Sequence, residues 1–240
     1  MKKIDVHCHV LPGLDDGAQR IEESIEMLKM AREQNICAVI ATPHYSHCFH
    51  NSNPQKISEL CHALEQIAQQ KVDPHFKVFP GQEILYSEDI LEQLEQKKIS
   101  TMAGSNYVLI EFHPSAPYSN IFRIAQNLLF NQYRPILAHV ERYNVLREND
   151  RMEELIDMGV YIQMNYHSIG GKWYDEKTRW CRKMLKEGKV HLLGTDMHNT
   201  QTRCPDTIGA DIWMDKHLES SYIKEISYRN PIKILKNEKI

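Results

Sequence analysis

His7 and His9 stand two residues apart near the start of the chain, and the adjacent carboxylates Asp15 and Asp16 follow in the same stretch, "DVHCHVLPGLDDG". In an extended backbone side chains alternate between faces, so both imidazoles face one way and can meet one cation. Asp16, on a loop closed by Gly17, can fold back across them, and at most one of the two carboxylates need do so. Further along, His44, Glu83, Glu111, His139, Asp196 and His198 add imidazole and carboxylate donors. A divalent ion that keeps a position open for water or substrate takes three or four protein ligands. These nine side chains, with one carboxylate bridging, therefore suit three ions. All the donors are nitrogen or oxygen, which fits manganese, iron, zinc or magnesium, and affinity order alone does not choose among them. Arg142 and Arg203 each follow a proposed ligand, and guanidinium forks bind phosphate oxygens bidentately. Three divalent ions bring six positive charges and the carboxylates of Asp16, Glu83, Glu111 and Asp196 remove four. The excess favours a phosphate dianion.

Such a set needs a scaffold that gathers distant residues. Short apolar runs at 4–6, 38–41, 77–79, 107–110, 136–138, 160–164 and 190–193 read as buried strands, and six of the seven lead into a residue of metal-ligating type. Between them apolar residues recur with helical spacing, as at Ile21, Ile25 and Leu28, and at Ile121, Ile124, Ala125 and Leu128. Strand and helix alternate, which predicts parallel strands joined by right-handed crossovers in an open sheet or a closed barrel. In a parallel barrel every strand ends at one rim, where active sites are built. The tail "NPIKILKNEKI" reads as a short helix with a fraying end. Without a linker, repeat or low-complexity segment, residues 1–240 read as one domain.

Hydrophobic residues at 42% and charged residues at 25% are ordinary for a globular protein and argue against disorder. A net charge of −3 supplies no overall basic field for nucleic acid or an anionic membrane. No apolar segment approaches the roughly 20 residues that span a bilayer, so no direct membrane insertion is expected. The six cysteines form no C-x-x-C pair and the N-terminus lacks a signal-type apolar run, which points to the cytoplasm. Oligomeric state is left open.

A thiol-based phosphatase would need a cysteine followed six positions later by arginine. Those positions hold Leu14, Pro43, Pro54, Ile67, Glu187 and Ala210, so that chemistry is excluded and Cys8 reads as a wall residue between two ligands. His47, His50, His62, His75, His113, His167, His191 and His217 are left without a role.

Together "DVHCHVLPGLDDG", "ATPHY", "PGQEI", "LIEF", "LAHVERY", "GTDMHN…TR" and "NPIKILKN" resemble the polymerase and histidinol phosphatase (PHP) family, and within it the capsule-type bacterial tyrosine-protein phosphatases. The resemblance runs in order from residue 4 to about residue 205. It implies a distorted seven-stranded (β/α) barrel, three divalent ions with manganese favoured, and phosphotyrosine on a bacterial tyrosine kinase of capsular or extracellular polysaccharide synthesis as substrate. By that resemblance His7, His9, Glu83 and Asp196 hold one ion, Glu83, Glu111 and His139 the second, and Asp16, His44 and His198 the third, while Arg142 and Arg203 bind phosphate. The family's last motif more often has Ser and Ala where this chain has Thr195 and Met197, and the larger Met197 is expected to narrow the site. Two alternatives stand beside this reading: a small-molecule phosphomonoesterase of the histidinol-phosphatase kind, and a non-catalytic metal-binding regulatory module.

Overall fold

A computed structural model of the chain describes residues 1–46 and 53–240. His47, Cys48 and His50 lie outside the described residues. Nine strand segments alternate with helices: β1 Lys3–Cys8, β2 Ile36–Ala41, β3 His44–Tyr45, β4 Lys77–Pro80, β5 Glu83–Leu85, β6 Tyr107–Glu111, β7 Arg134–Leu137, β8 Tyr161–Asn165 and β9 Leu192–Gly194. Every pairing is parallel. One sheet runs β1-β2-β4 and the other β3-β5-β6-β7-β8-β9.

Seven apolar runs predict seven strands, and the structure has nine segments in two sheets because two short segments form beyond the ends of two runs. Thr42 and Pro43 separate β2 from β3, and proline lacks the N–H that a ladder requires. Gly81 and Gln82 separate β4 from β5, where a Cβ on Gly81 would come within 2.9 Å of Ile40 Cγ2. The short segments beyond each break carry His44 and Glu83. At one seam the chain itself carries β2 into β3 and β4 into β5, and between the two breaks Glu83 N donates to Pro43 O at 3.2 Å. At the other seam Asp196 N donates to His7 O at 2.8 Å and His9 N to Met197 O at 2.9 Å, so the segment after β9 returns to β1. The result is a curled parallel α/β sheet.

The period-two alternation then decides what faces the interior. In β6, Val108 and Ile110 pack against the helices, whereas Tyr107 and Leu109 join a cluster with Val6, Ile40, Ile136, Tyr161 and Leu192. In β8, Ile162 and Met164 likewise face the helices while Tyr161 joins that cluster. Continuing the same rows toward the strand ends gives Glu111 from β6 and Gln163 and Asn165 from β8. Each row is apolar where it starts and polar where it reaches the rim.

The helices cover the outer face, and their ends have local causes. Asn53 caps the helix Pro54–Lys71 by accepting from Lys56 N, and Asp175 caps Glu176–Lys186 by accepting from Thr178 N. The expected terminal helix is Asn230–Leu235, but the end beyond it is tied down. Tyr107 Oη donates to Glu238 O at 2.8 Å and accepts from Ile240 N at 3.0 Å. Among the described residues no helix is long and apolar enough to cross a membrane.

Candidate metal centre

The nine predicted ligands meet at the C-terminal ends of the strands. His7 is the last residue but one of β1 and His9 follows the strand, Glu83 opens β5, Glu111 closes β6, His139 follows β7, and Asp196 and His198 follow β9. Glu83 is the hub. Its Oε2 lies 3.0 Å from His7 Nε2, 3.2 Å from His9 Nε2 and 3.2 Å from His44 Nδ1, and its Oε1 lies 2.7 Å from His139 Nε2. His139 Nε2 is also 3.2 Å from Glu111 Oε2. Asp16 Oδ1 lies 3.4 Å from both His44 Nε2 and His198 Nε2. Three groups have ligand atoms mutually within 4.8 Å: His7, His9, Glu83 and Asp196; His44, Glu83 and Glu111; and His9, Asp16, His44 and His198. The first is the set expected from sequence. In the second, His44 stands where the resemblance puts His139, which contacts Glu83 and Glu111 but falls in none of the three groups, and in the third His9 joins Asp16, His44 and His198.

The donors fit cations on three counts. Glu83 Oε2 and His198 Nε2 are buried without a hydrogen bond, although imidazole or carboxylate atoms stand beside them. Proximity without hydrogen-bond geometry is what lone pairs aimed at a common point produce. Second, the charges are mutually dependent. Burial opposes ionising Glu83, yet the neighbouring His7, His139 and His9 hold its carboxyl well below the usual range. Burial likewise opposes charging His139, but Glu111 and Glu83 raise its pKa to about 9. Third, the donor set is mixed imidazole and carboxylate with no thiolate, the set that suits borderline and hard divalent ions.

A further layer of polar groups aims these ligands. Asp15, the carboxylate beside Asp16, turns inward: it pairs with His9 Nδ1 at 2.8 Å and accepts from the backbone N–H of His44 at 2.8 Å and of Gly17 at 2.9 Å. A Cβ on Gly17 would sit 2.2 Å from His9 O, so only glycine lets the loop close there. Gln163 Oε1 lies 3.1 Å from His7 Nδ1 and accepts from His139 N at 2.7 Å. Its Nε2 donates to Asn165 Oδ1, and Asn165 Nδ2 donates to Asp196 Oδ2 at 3.0 Å. Asp5 accepts from His7 N and from the backbone and hydroxyl of Thr195, and burial still pushes its carboxyl up to about 6. Holding the far side of a ligating imidazole fixes its tautomer and ring orientation.

Two ligands have strained backbones. His139 (φ 31°, ψ 59°) and Asp196 (φ 55°) lie in the left-handed region that non-glycine residues seldom occupy. Arg142 N donating to His139 O and Asp196 N donating to His7 O hold them there. Strain of this kind persists where surrounding contacts over-determine the conformation, and it clusters at functional sites.

Arg142 and Arg203 both reach Asp196, Arg142 through a short contact to Oδ2 and Arg203 at 2.9 Å from Oδ1. They line a cleft of about 370 Å³ with Asp196, Asn165, Ser168, His167 and Lys177. Candidate metal ligands, guanidinium groups and an open cleft thus share one rim.

The model of the family described as capsular polysaccharide synthesis, CpsB/CapC, matches residues 3–236. The chain belongs to this family. Among CpsB/CapC relatives, tyrosine-protein phosphatase CpsB of Streptococcus pneumoniae is 35% identical over 243 residues, covering 99% of this chain and all of that protein. Tyrosine-protein phosphatase YwqE of Bacillus subtilis (strain 168) is 31% identical over 207 residues, covering 83% of this chain and 79% of that protein. Crystal structures of YwqE and CpsB, described as unique metal-dependent tyrosine phosphatases, superpose with a TM-score of 0.89 at 28% identity, covering 99% of this chain and 96% of the other. A phosphotriesterase homology protein from Escherichia coli, with phosphate in its active site, shares the fold at a TM-score of 0.61 and 11% identity over 98% of both chains. The CpsB/CapC membership agrees with the resemblance read from the motifs.

Some expectations change within this CpsB/CapC frame. Met197 is fully buried among Cys8, Val10 and Leu11, so it packs into the core and does not narrow the site. Cys8 is buried and burial pushes its thiol pKa well up, as suits a wall residue. His191 accepts from Ile162 N at 3.1 Å, and burial lowers its pKa to about 4. His167 lines the cleft. Gln163 and Asn165 were missed because the sixth run ends in no ligand type, although two amides two apart in "YIQMN" carry the same period-two signal as His7 and His9.

Proposed function

We propose that the chain is a metal-dependent protein-tyrosine phosphatase that hydrolyses phosphotyrosine on a bacterial tyrosine kinase linked to capsular or extracellular polysaccharide synthesis. The observation that carries this is the convergence of eight nitrogen and oxygen donors in three overlapping groups, with His139 against Glu83 and Glu111, beside two arginines at one rim and with no cysteine placed for thiol chemistry. The names of the CpsB and YwqE relatives supply the substrate class. We read the chain as one cytoplasmic domain and its sheet as a distorted seven-stranded barrel, counting β2 with β3 and β4 with β5.

Three overlapping ligand groups support three ions, and the resemblance favours manganese. His7, His9, Glu83 and Asp196 would hold one; Glu83, Glu111 and His139, joined by His44, the second; and Asp16, His44 and His198, joined by His9, the third. When bound, such ions polarise phosphoryl oxygens and lower the pKa of water enough to supply a nucleophile near neutral pH. The remaining tasks fall to the chain. Arg142 and Arg203 present N–H groups to the non-bridging oxygens, where charge accumulates. Gln163, Asn165 and Asp15 keep the ligands oriented. The tyrosine leaves as a phenolate with a pKa of about 10, so no strong general acid is required. Comparing kcat/KM for a phosphotyrosine peptide and for histidinol phosphate tests the reading. A clear preference for histidinol phosphate would replace it with the small-molecule phosphatase.

A further inference from the structure

The segment after β8 holds positive charge that the rim does not use. Lys172, Lys177, Arg179, Arg182, Lys183 and Lys186 fall within fifteen residues of a chain whose net charge is −3. The acids interspersed among them are engaged elsewhere. Asp175 caps the helix Glu176–Lys186, Glu176 pairs with Arg147 at 3.3 Å, and Glu187 lies 2.6 Å from Lys189 and only 3.7 Å from Lys183. Among the described residues Lys172, Lys177, Arg179, Arg182 and Lys186 have no carboxylate within 4 Å. The helix buries Thr178, Cys181, Met184 and Leu185. Arg179, Arg182, Lys183 and Lys186 follow at i, i+3, i+4 and i+7 and form a stripe on another face.

The helix that carries this stripe starts beside the cleft. Lys177, near the start of the helix, lines the cleft that Arg142 and Arg203 share. Arg179, Arg182, Lys183 and Lys186 line a separate depression with Trp213 and one acid, Glu187, which is held by Lys189. Arg182 is fixed: it donates to Ile169 O and Gly171 O at 3.1 Å and lies over the Trp213 ring. Trp173 and Tyr174 stand exposed just before the helix. Seven residues of helix advance about 10 Å, which matches about three residues of extended peptide.

We propose that the helix Glu176–Lys186 is a docking rail for an acidic segment that flanks the phosphotyrosine of a protein substrate. The proposal rests on the phosphatase reading and adds the substrate's flanking chemistry to it. A chain that leaves the cleft across the start of the helix and turns along its basic face meets the four cations, so two or three Asp or Glu residues beside the phosphotyrosine find partners there.

The test uses the full metal-loaded chain and labelled peptides carrying a non-hydrolysable phosphonate analogue of phosphotyrosine. One peptide has three acidic residues on one flank and the other has serines there, each made in both orientations. Fluorescence anisotropy should show the wild type binding one acidic form about tenfold more tightly than its serine counterpart. The triple variant R179E/K183E/K186E should lose that preference, with the milder K183Q/K186Q weakening it, while both keep wild-type rates on para-nitrophenyl phosphate. Equal wild-type affinity for acidic and serine peptides, or a preference that survives the triple reversal, overturns the rail. So does a result in which the reversal abolishes only co-sedimentation with phosphatidylserine vesicles, which would assign the stripe to a membrane. If the acidic preference holds but phosphotyrosine peptides are not hydrolysed, the rail stands as a peptide site and the phosphatase reading fails.

Discussion

At the start of β1, Lys3 is buried with its ammonium bonded to Thr207 Oγ1 at 2.7 Å and Asp211 Oδ2 at 2.5 Å. Thr207 is in turn engaged by Gln34, whose Oε1 accepts from its backbone N–H at 2.7 Å. At the other end of the same strand, His7 enters a cluster in which imidazoles and carboxylates crowd one another and Glu83 Oε2 and His198 Nε2 have no hydrogen bond. Both ends bury charge. One pairs an ammonium with a hydroxyl and a carboxylate and so holds the chain together, whereas the other assembles more lone pairs than the protein's own protons satisfy. That surplus is what a cation removes.

Substitutions at the two ends should therefore separate activity from stability. The largest expected effect is at the rim: His7→Ala or Asp196→Ala should lower bound metal and kcat/KM together, by roughly a hundredfold or more. Elemental analysis beside steady-state kinetics checks this, and a variant that keeps its metal while losing its rate would move that residue out of the ligand set. Arg142→Ala and Arg203→Ala should each lower kcat/KM by roughly 10- to 100-fold, the scale of a lost charge-assisted contact of about 1.5–3 kcal/mol, with metal content unchanged. Wild-type kcat/KM in both would reduce these arginines to partners of Asp196. Gln163→Leu should weaken metal affinity by about tenfold, since it frees His7 to rotate, and excess metal should largely restore the rate. At the opposite end, Lys3→Met should leave kcat/KM unchanged and cost about 1–3 kcal/mol of stability by stranding Asp211, as read in denaturant unfolding. Loss of activity without loss of stability there would erase the contrast between the two ends.

The site was far more legible than the scaffold's details. His7, His9, Asp196 and His198 announce themselves because paired ligand types near both ends of a chain have no packing explanation, and the apolar runs before them say where they sit. What escaped reading depends on geometry that sequence does not encode locally. Asp15 and Asp16 are adjacent carboxylates, and only the closure of the loop at Gly17 against His9 decides which faces the ions and which supports the imidazole. The left-handed backbones of His139 and Asp196 are imposed by neighbouring segments. The short segments β3 and β5 lie past Pro43 and Gly81, beyond the apolar runs at 38–41 and 77–79, where no apolar pattern announces a strand. Met197 looks like part of the site by its place in the motif, but its side chain goes to the core.

Metal dependence tests the central claim most directly. The chain should be stripped with a chelator, assayed on a phosphotyrosine peptide, and titrated with manganese while bound metal is quantified per chain. The account predicts that activity disappears on stripping and returns as metal is taken up, approaching three ions per chain, and that thiol alkylation leaves it intact. Full activity in rigorously metal-free protein, or a phosphocysteine intermediate, would contradict it.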